Sequence, residues 1–327
     1  MSLDTDNPKE AIAIARPNLK DNTIKQYESN LNKLKKIFDA DDWEFLKDPQ
    51  EVKDNISHLH FTSQRNHYNA IIVLLMALNQ DEKYSSLIED YGEMRDELND
   101  QYNKQSGTIS DKQAPNFATM EEINQMINKM GEELKAMKLR KKESLTSKEK
   151  ALLQIFVLFN LYSKIPLRND VADGMEAIRK AKYNKLSTED KKSKNWLLME
   201  KNKLSFVLNN YKTNKTYGQK MIDIEDKDLK RLLRYYIKVN GDGILFKSST
   251  GKPLTRNALS QLLLKWSKKY MNKSVSTTLM RKIVASHHFG EGTEFAKLKQ
   301  QQEDLANKMG HSVGVMNKVY IKEDKDE

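Results

Sequence analysis

The sequence predicts a mainly α-helical protein with a small antiparallel β-sheet, an α+β fold in two domains. Three observations lead to this prediction. The 327 residues include only 12 Gly and 6 Pro, and apolar residues recur at helical spacing along most of the chain. One island near the middle, NWLLME, LSFVLNNYK and QKMIDI, has the pattern of three short strands with hairpin-like connections. A polar stretch, KQSGTISDKQAPNFA at 104–118, separates two parts that are each long enough for a domain.

The N-terminal part has the pattern of a small helical bundle, which we place at 16–105. Its first predicted helix covers 19–38, with apolar residues every three or four positions. These positions are Ile24, Tyr27, Leu31, Leu34 and Phe38. A second helix at 64–79 contains IIVLLMAL, the expected buried centre of the bundle, and a third, acidic helix covers 81–102. We place the linker at 106–117.

The C-terminal part, 118–327, begins with predicted helices at 119–137 and 147–161. The second of these is apolar nearly throughout (ALLQIFVLFNLY), so we expect it at the centre of the domain. The three predicted strands follow, and the chain then returns to helical patterns. These last predicted helices cover 227–239, 255–271, 276–289, 293–309 and 313–320.

The composition excludes several kinds of protein. The chain has no cysteine, which excludes disulfides, a catalytic thiolate and sulfur-ligated metal sites. It has no apolar run near the ~18 residues of a membrane span, and its first residues lack the pattern of a signal peptide. We therefore expect an intracellular protein with no membrane partner.

The positive charge is concentrated in the second part of the chain. Residues 1–110 contain 13 Lys and Arg against 20 Asp and Glu, a net charge of −7. Because the whole chain carries +10, the remaining residues carry +17. Such a concentration on one domain is typical of nucleic-acid binding. Of the 56 basic residues only 10 are Arg, which draws attention to positions that use a rigid, bidentate guanidinium.

Several catalytic motifs are absent or fail their context. Residues 310–314, GHSVG, match G-x-S-x-G, but a serine hydrolase needs a later histidine, and none follows His311. The chain has no G-x-x-x-x-G-K-[ST], G-x-G-x-x-G or H-E-x-x-H. Adjacent His287 and His288 point about 100° apart on a helix, so surface histidines are a better interpretation than a metal pair. We expect no cofactor and no metal.

Three short motifs in the second part follow one another in a definite order. PLRND, at 166–170, comes after the apolar helix, and TLMR, at 278–281, comes much later. The last motif is LANKMGHS, at 305–312, and Tyr320 follows nine residues after His311.

These motifs resemble those of the tyrosine recombinase, or phage integrase, family. The predicted strands carry Lys212 and Lys215 near a turn, where this family places its catalytic lysine. The stretch 19–38 is similar to the first helix of the family's core-binding domain. The resemblance covers most of the chain and implies a helical, SAM-like core-binding domain followed by a tyrosine-recombinase catalytic domain.

The resemblance implies a site-specific DNA recombinase or integrase that needs neither metal nor ATP. A tyrosine would attack the scissile phosphorus and form a 3′-phosphotyrosine with a free 5′-hydroxyl. Guanidinium groups and an imidazole would stabilise the phosphoryl oxygens, and a lysine would protonate the leaving oxygen. The implied site residues are the nucleophile Tyr320, the phosphate-binding Arg168, Arg281 and His311, and the general acid Lys212 or, as the alternative, Lys215.

Thr278 departs from the family's pattern. It stands where the usual second box, H-x-x-R, has a histidine that is thought to help deprotonate the tyrosine or to steady the phosphate. A threonine can donate one hydrogen bond but cannot act as a base near pH 7. Either another group or water fills this role, or the reaction is slow, or the protein is impaired.

The resemblance implies duplex DNA as the partner and a homotetramer that exchanges strands between two DNA sites. It implies no small-molecule substrate. The long insert between Arg168 and the hairpin is more similar to recombinases of large DNA viruses and their mobile elements than to compact bacterial chromosome-dimer resolvases. We expect a DNA-associated location, in the cytoplasm or nucleoid, or in the host nucleus or virus factory of a viral protein. Candidate DNA-binding residues are Lys215, Arg256, Lys265, Lys268 and Lys269.

Other interpretations stay open at this point. A type IB-like topoisomerase shares the tyrosine–phosphate chemistry, and a catalytically impaired, sequence-specific DNA-binding protein would be compatible with a threonine in the second box. A third interpretation is an unrelated helical interaction protein that neither cleaves nor binds DNA and whose basic residues are simply solvated. Single residues have structural alternatives as well: Arg168 can pair with Asp170 or Asp173, Tyr320 can anchor a terminal helix, and a lysine-rich helix face can simply be solvated.

Overall fold

The computed structural model describes residues 7–79, 82–106, 108–290, 292–310 and 312–316. Over these residues the protein is mainly helical, with one small mixed sheet of five strands. The chain divides into two compact units, Met1–Ser110 and Asp111–Glu327. Within the described residues, no helix has both the length and the apolar character needed to cross a membrane.

The first unit is built around one apolar helix. Its helices are α1 Pro8–Ala15, α2 Asp21–Phe38, α3 Pro49–Ile56, α4 Phe61–Leu78 and α5 Ser85–Ser106. α4 packs against α1, α2 and α5, and Ala70, Ile71, Leu74 and Leu75 are fully buried. The apolar run that predicted a central helix therefore forms the centre of this unit.

Two short helices of the first unit were not predicted. α1 and α3 are each eight residues long and begin with a proline. The side chains of Asn7 and Asp48 cap them by accepting hydrogen bonds from the amides of Glu10 and Glu51, at 3.2 and 2.9 Å. Two helical turns are too short to show a clear apolar period, so cap residues followed by proline were the usable signal.

The second unit is also centred on an apolar helix. Its helices are α6 Met120–Ala136, α7 Ser147–Lys164, α8 Lys180–Asn184, α9 Thr188–Ser193, α10 Asn214–Tyr217, α11 Lys227–Asn240, α12 Arg256–Met271, α13 Thr277–Phe289, α14 Glu294–Lys308 and α15 Val313–Val315. α7 packs against α6, α11, α12 and α13. A capping box of Thr146 and Glu149 starts it, and pairing with Lys142, together with the Thr146 bonds, lowers the pKa of Glu149 to about 2. The end of this well-anchored helix leads into the candidate site.

The sheet corrects the prediction of an antiparallel one. Its strands are β1 Glu176–Arg179, β2 Trp196–Met199, β3 Leu204–Leu208, β4 Lys220–Asp223 and β5 Gly243–Ile244, in the order β4-β3-β2-β1-β5. The three predicted strands form the antiparallel pairs β2–β3 and β3–β4, but β1 pairs with β2 in parallel. Parallel neighbours need a crossover, which α8 and α9 provide. β5 was missed because it has only two residues. β1, EAIR, was missed because it shows neither strand alternation nor an apolar run.

Candidate active site

A cavity of about 470 Å³ lies in the second unit. The loop after α7, the turn after β3, the start of β4 and α13 meet around it. It brings together Arg168 and Arg281, which are far apart in the sequence. The polar residues that matter for the argument below are Arg168, Asp170, Tyr217, Gln219, Lys220 and Arg281.

Hydrogen bonds from Tyr162 and Arg281 help to hold the loop that carries Arg168. The hydroxyl of Tyr162, in the last turns of α7, donates to the carbonyl oxygen of Arg168 at 3.0 Å. The Nε of Arg281 donates to the carbonyl oxygen of Pro166 at 3.2 Å. Arg281 makes no other hydrogen bond within the described residues, so its four Nη hydrogens are left for an anion. The loop that carries Arg168 is therefore bonded directly to the side chain of Arg281.

A buried carboxyl group, that of Asp170, lines the same cavity. Asp170 is 4% exposed, and its Oδ1 has no hydrogen-bond partner among the described residues. The Nη1 of Arg256 lies 3.5 Å from this oxygen, an ion pair without a hydrogen bond. Burial raises the pKa of Asp170, and the charges of Arg256, Arg168, Arg281 and Lys220 oppose the rise. Four positive charges around one buried carboxyl group leave the site net positive, which suits an anionic ligand.

Arg256, a predicted DNA contact, belongs to the protein's own network. Its Nε donates to the Oδ2 of Asp173 at 2.7 Å, and its Nη2 donates to the carbonyl oxygen of Asn210 at 3.3 Å. The two carboxylates that could have paired with Arg168 are therefore used by Arg256. This side chain joins the 170–173 loop to the chain beyond β3, and its contact with DNA stays a prediction.

Asn195, just before β2, fixes the same two segments, and the sequence analysis did not select it. Its side chain is almost fully buried. Its Nδ2 donates to the carbonyl oxygen of Asp170 at 2.8 Å, and its Oδ1 accepts from the amides of Asn209 and Asn210, both at 2.8 Å. One amide side chain thus positions the end of β3 against the loop of Arg168. A single asparagine carries no pattern from which this role could have been predicted.

A lysine that was not predicted lines the cavity. Lys212 and Lys215 are exposed in the turn after β3, and neither lines it. Lys220, the first residue of β4, does. In the β3–β4 register Lys220 pairs with Leu208, and paired residues project from the same face of a sheet. Because Leu208 and Ile222 also line the cavity, the register explains the position of Lys220.

Three other residues of the predicted active site do not line the cavity within the described part of the chain: Thr278, His311 and Tyr320. Thr278 is exposed in the first turn of α13, one turn before Arg281, and does not line the cavity. His311 and Tyr320 lie outside the described residues. Between them, Ser312 caps the first turn of α15 with its side chain.

The predicted DNA-facing lysines of α12 are all exposed: Lys265, Lys268 and Lys269. The Nζ of Lys268 donates to the carbonyl oxygen of Asn272 at 3.1 Å. The Nζ of Lys269 lies 4.8 Å from the centre of the Trp266 ring, a cation–π contact. Two of the three ammonium groups therefore already have partners at the end of this helix.

The first unit has a polar, basic face between α2 and α4. A cavity of about 510 Å³ there is lined mainly by Lys, Asn, Gln, Ser and His side chains. An adjoining groove of about 330 Å³ shares Lys33 and Lys36 with it. Glu28 is the one carboxylate among the residues that line the two. We call this surface the α2 face, and although the unit is acidic overall, it presents positive charge here.

His67 fastens α4 to α2 beneath the α2 face. It is 4% exposed, and its Nδ1 lies 3.2 Å from the carbonyl oxygen of Asn30. Burial lowers the pKa of His67, the bond to Asn30 opposes this, and Lys33 lowers it further. The ring is therefore neutral at pH 7 and donates from Nδ1 to the carbonyl oxygen.

The described residues contain no cluster of three or more His, Cys, Asp and Glu side chains placed to hold a metal ion. Comparison of the chain with protein-family models, curated proteins and solved structures gave no match. The assignment of a function therefore depends on the residues of the cavity and on the sequence motifs.

Proposed function

We propose that the protein is a DNA strand transferase of the tyrosine recombinase type, a site-specific recombinase or integrase. The observation that carries this proposal is the cavity that Arg168 and Arg281 share. A phosphodiester under attack carries negative charge on two non-bridging oxygens, and planar guanidinium groups can bond such oxygens bidentately. The sequence motifs that accompany these arginines provide the candidates for the nucleophile and for a further phosphate-binding group, Tyr320 and His311.

Tyr320 is the proposed nucleophile. Its oxygen forms a bond to phosphorus while the bond from phosphorus to the 5′-oxygen breaks, and the phenol proton passes to a base or to water. The phosphotyrosine conserves the bond energy, so attack by a 5′-hydroxyl rejoins the strand without ATP. His311 is proposed to donate to a phosphoryl oxygen. The proposed partners are duplex DNA and three further copies of the chain, bound on paired sites.

Covalent trapping on a pool of DNA sequences tests this function and selects the DNA site at the same time. The protein is incubated with random-sequence duplexes that carry one nick, so that a short fragment diffuses away after cleavage beside the nick. We expect a protein–DNA adduct that survives denaturation, with one sequence enriched in the recovered DNA. Specific binding with no adduct would instead indicate a catalytically silent DNA-binding protein, and relaxation of any supercoiled plasmid would indicate a topoisomerase.

We propose Lys220 as the general acid, with Lys212 and Lys215 as the alternatives. Lys220 lines the cavity with the two arginines, so its ammonium can reach a leaving oxygen there. Lys220→Ala should slow cleavage of ordinary DNA by about 10²–10⁴-fold, the usual contribution of a general acid. Lys212→Ala should slow it much less. Single-turnover cleavage of the trapped DNA sequence measures both.

A sulfur-substituted substrate separates an acid from a phosphate-binding lysine. A thiol has a pKa of about 8.5, so a 5′-sulfur leaves without a proton. Cleavage by Lys220→Ala should return to near the wild-type rate on this substrate. If the rate of Lys220→Ala does not recover on this substrate, Lys220 binds phosphate and is not the general acid. If the rate of Lys212→Ala recovers instead, the general acid is Lys212 in the turn after β3, as the sequence predicts.

The α2 face is the proposed DNA-binding surface of the first unit. Lys33 and Lys36 are its shared cations, and each phosphate contact contributes about one to the slope of log affinity against log salt. Lys33→Ala with Lys36→Ala should weaken binding about 10-fold and lower that slope by about two. Fluorescence anisotropy over a salt series measures both quantities. The same double change at Lys47 and Lys53 is the control, and an equal loss there would contradict a specific role of the α2 face.

A further inference from the structure

A groove of about 400 Å³ lies on the second unit, and α6, α7, α11 and the connection from α6 to α7 line it. α7 packs against both α6 and α11. Within the described residues, the groove and the cavity of the candidate active site share no lining residue. α7 contributes residues 153 and 156 to it, ~12 Å or more before the helix ends at Lys164. We call this surface the α7 groove.

The lining of the α7 groove is mainly apolar. Three leucines are buried there, and three larger or less covered side chains are half-buried. Gly131, inside α6, contributes no side chain, and a β-carbon at this position would lie 3.4 Å from the Phe156 ring. The apolar residues of the lining are Leu134, Leu139, Leu153, Phe156, Leu232 and Tyr235.

The charged residues of the lining are all cations: Lys135, Lys138, Arg140 and Lys141. All four are exposed. Lys135 has a loose ion pair with Glu132 at 4.0 Å. The side chains of the other three make no ion pair or hydrogen bond within the part of the chain that the structure describes. The α7 groove therefore has an apolar centre and a positive rim.

Arg140 and Tyr235 join the rim to the apolar centre. The guanidinium carbon of Arg140 lies 5.2 Å from the centre of the Tyr235 ring, a cation–π contact. This contact orients the guanidinium and leaves its N–H groups for a carboxylate. Tyr and Arg are the residue types that contribute most often to protein interfaces, and an apolar centre with a solvated, polar rim is the usual arrangement of such interfaces.

We propose that the α7 groove binds an acidic segment of a partner protein. Apolar side chains of the segment enter the groove, and its carboxylates lie beside the four cations. A neutral or basic segment would leave these cations unmatched, since no described carboxylate lines the groove. A DNA duplex would match the cations but would place solvated phosphates against an apolar surface. The inference does not rest on the proposed strand-transfer activity, because the groove is separate from the cavity.

Selection from a peptide library tests the chemistry of this partner. The full chain is immobilised and panned against displayed random peptides of about 12 residues, long enough for about three helical turns. We expect enrichment of sequences that combine Asp or Glu with Leu, Phe, Trp or Met. A labelled copy of the enriched peptide should bind with a dissociation constant on the order of 10 μM, and more weakly as salt is added. No enrichment, or enrichment of basic or purely polar peptides, would overturn the proposal.

Leu232→Lys separates the groove from a general attraction between an acidic peptide and a basic protein. The variant removes half-buried apolar surface and adds one positive charge. If apolar side chains of the peptide enter the groove, the affinity should fall about 10-fold or more. Unchanged or tighter binding would show that charge alone holds the peptide, which overturns the proposal. Fluorescence anisotropy gives the affinity, and the thermal unfolding temperature shows whether the variant is folded.

Removal of rim charge tests the proposal even if Leu232→Lys does not fold, because the rim residues are exposed. Arg140→Gln with Lys141→Gln should weaken peptide binding about 10-fold and make it less dependent on salt. The matched control is Lys182→Gln with Lys185→Gln, since both of these lysines are exposed and neither lines the groove. The control should stay within about two-fold of the wild type. Equal losses in the two double variants would overturn a specific role of the rim.

Duplex DNA is the other occupant that these variants can reveal. A DNA duplex that does not contain the enriched cleavage sequence is added to the complex of protein and labelled peptide. We expect the peptide to stay bound at moderate salt. If the duplex displaces it, and if Arg140→Gln with Lys141→Gln weakens binding of the duplex as much as binding of the peptide, the rim is a DNA contact and the proposal is wrong.

Discussion

Tyr320→Phe should abolish the covalent adduct between the protein and DNA. The substitution removes the oxygen that we propose as the nucleophile and keeps the aromatic ring, so DNA affinity should stay within about two-fold of the wild type. Losing the nucleophile of a covalent mechanism typically costs four orders of magnitude or more in rate. Denaturing gels of the trapped DNA give the adduct, and anisotropy gives the affinity.

Two other tyrosines make this experiment specific. Tyr217 lines the cavity and is 74% exposed, so its hydroxyl is the described one most able to compete as nucleophile. Tyr183 packs against the Trp196 ring and does not line the cavity, and Tyr183→Phe serves as the matched control. An adduct that survives Tyr320→Phe and disappears in Tyr217→Phe would move the nucleophile to the turn before β4.

Arg281→Lys and Arg168→Lys should each lower the rate of strand cleavage by about 10²–10³-fold with little loss of DNA affinity. Lysine keeps the positive charge, which would still attract a DNA backbone, but it cannot bond two phosphoryl oxygens through one planar group. Arg281 should be the more sensitive of the two, because its Nε also holds the Pro166 carbonyl. Single-turnover cleavage at saturating protein separates rate from affinity.

The matched control for these variants is Arg231→Lys. Arg231 is exposed on α11 and pairs with Asp228, so the same chemical change occurs outside the cavity. It should leave both rate and affinity unchanged. If the cavity variants lose affinity and rate in equal proportion, the arginines hold DNA in its ground state, and their proposed role in the transition state is wrong.

The main helices could be predicted because they are long and periodic. The apolar runs at 64–79 and 147–161 form the central helices α4 and α7. β1, β5 and α1 were missed because none of them shows a clear apolar period over its length. The parallel pairing of β1 with β2 was missed for the same reason, because a crossover connection cannot be predicted when one of the two strands it joins is not recognised.

The cavity residues were predictable to different degrees. Arg168 and Arg281 stood out because they occur in recognisable motifs of a chain that otherwise prefers lysine. Lys220 did not, since its place depends on a strand register that no motif encodes. Arg256 was chosen for its charge alone, and charge in a sequence does not reveal that Asp170 and Asp173 already surround a guanidinium.

Asp170 gives the cavity an internal counterion. Before any DNA arrives, its buried carboxyl group already offsets part of the charge of Arg168, Arg281 and Lys220. A small free anion would gain little by competing with a carboxyl group that is fixed in place, whereas a phosphate of a duplex would also be held through the duplex's other contacts with the protein. Under the proposed function, this fixed acidic group would therefore favour a phosphate of the polymer over inorganic phosphate.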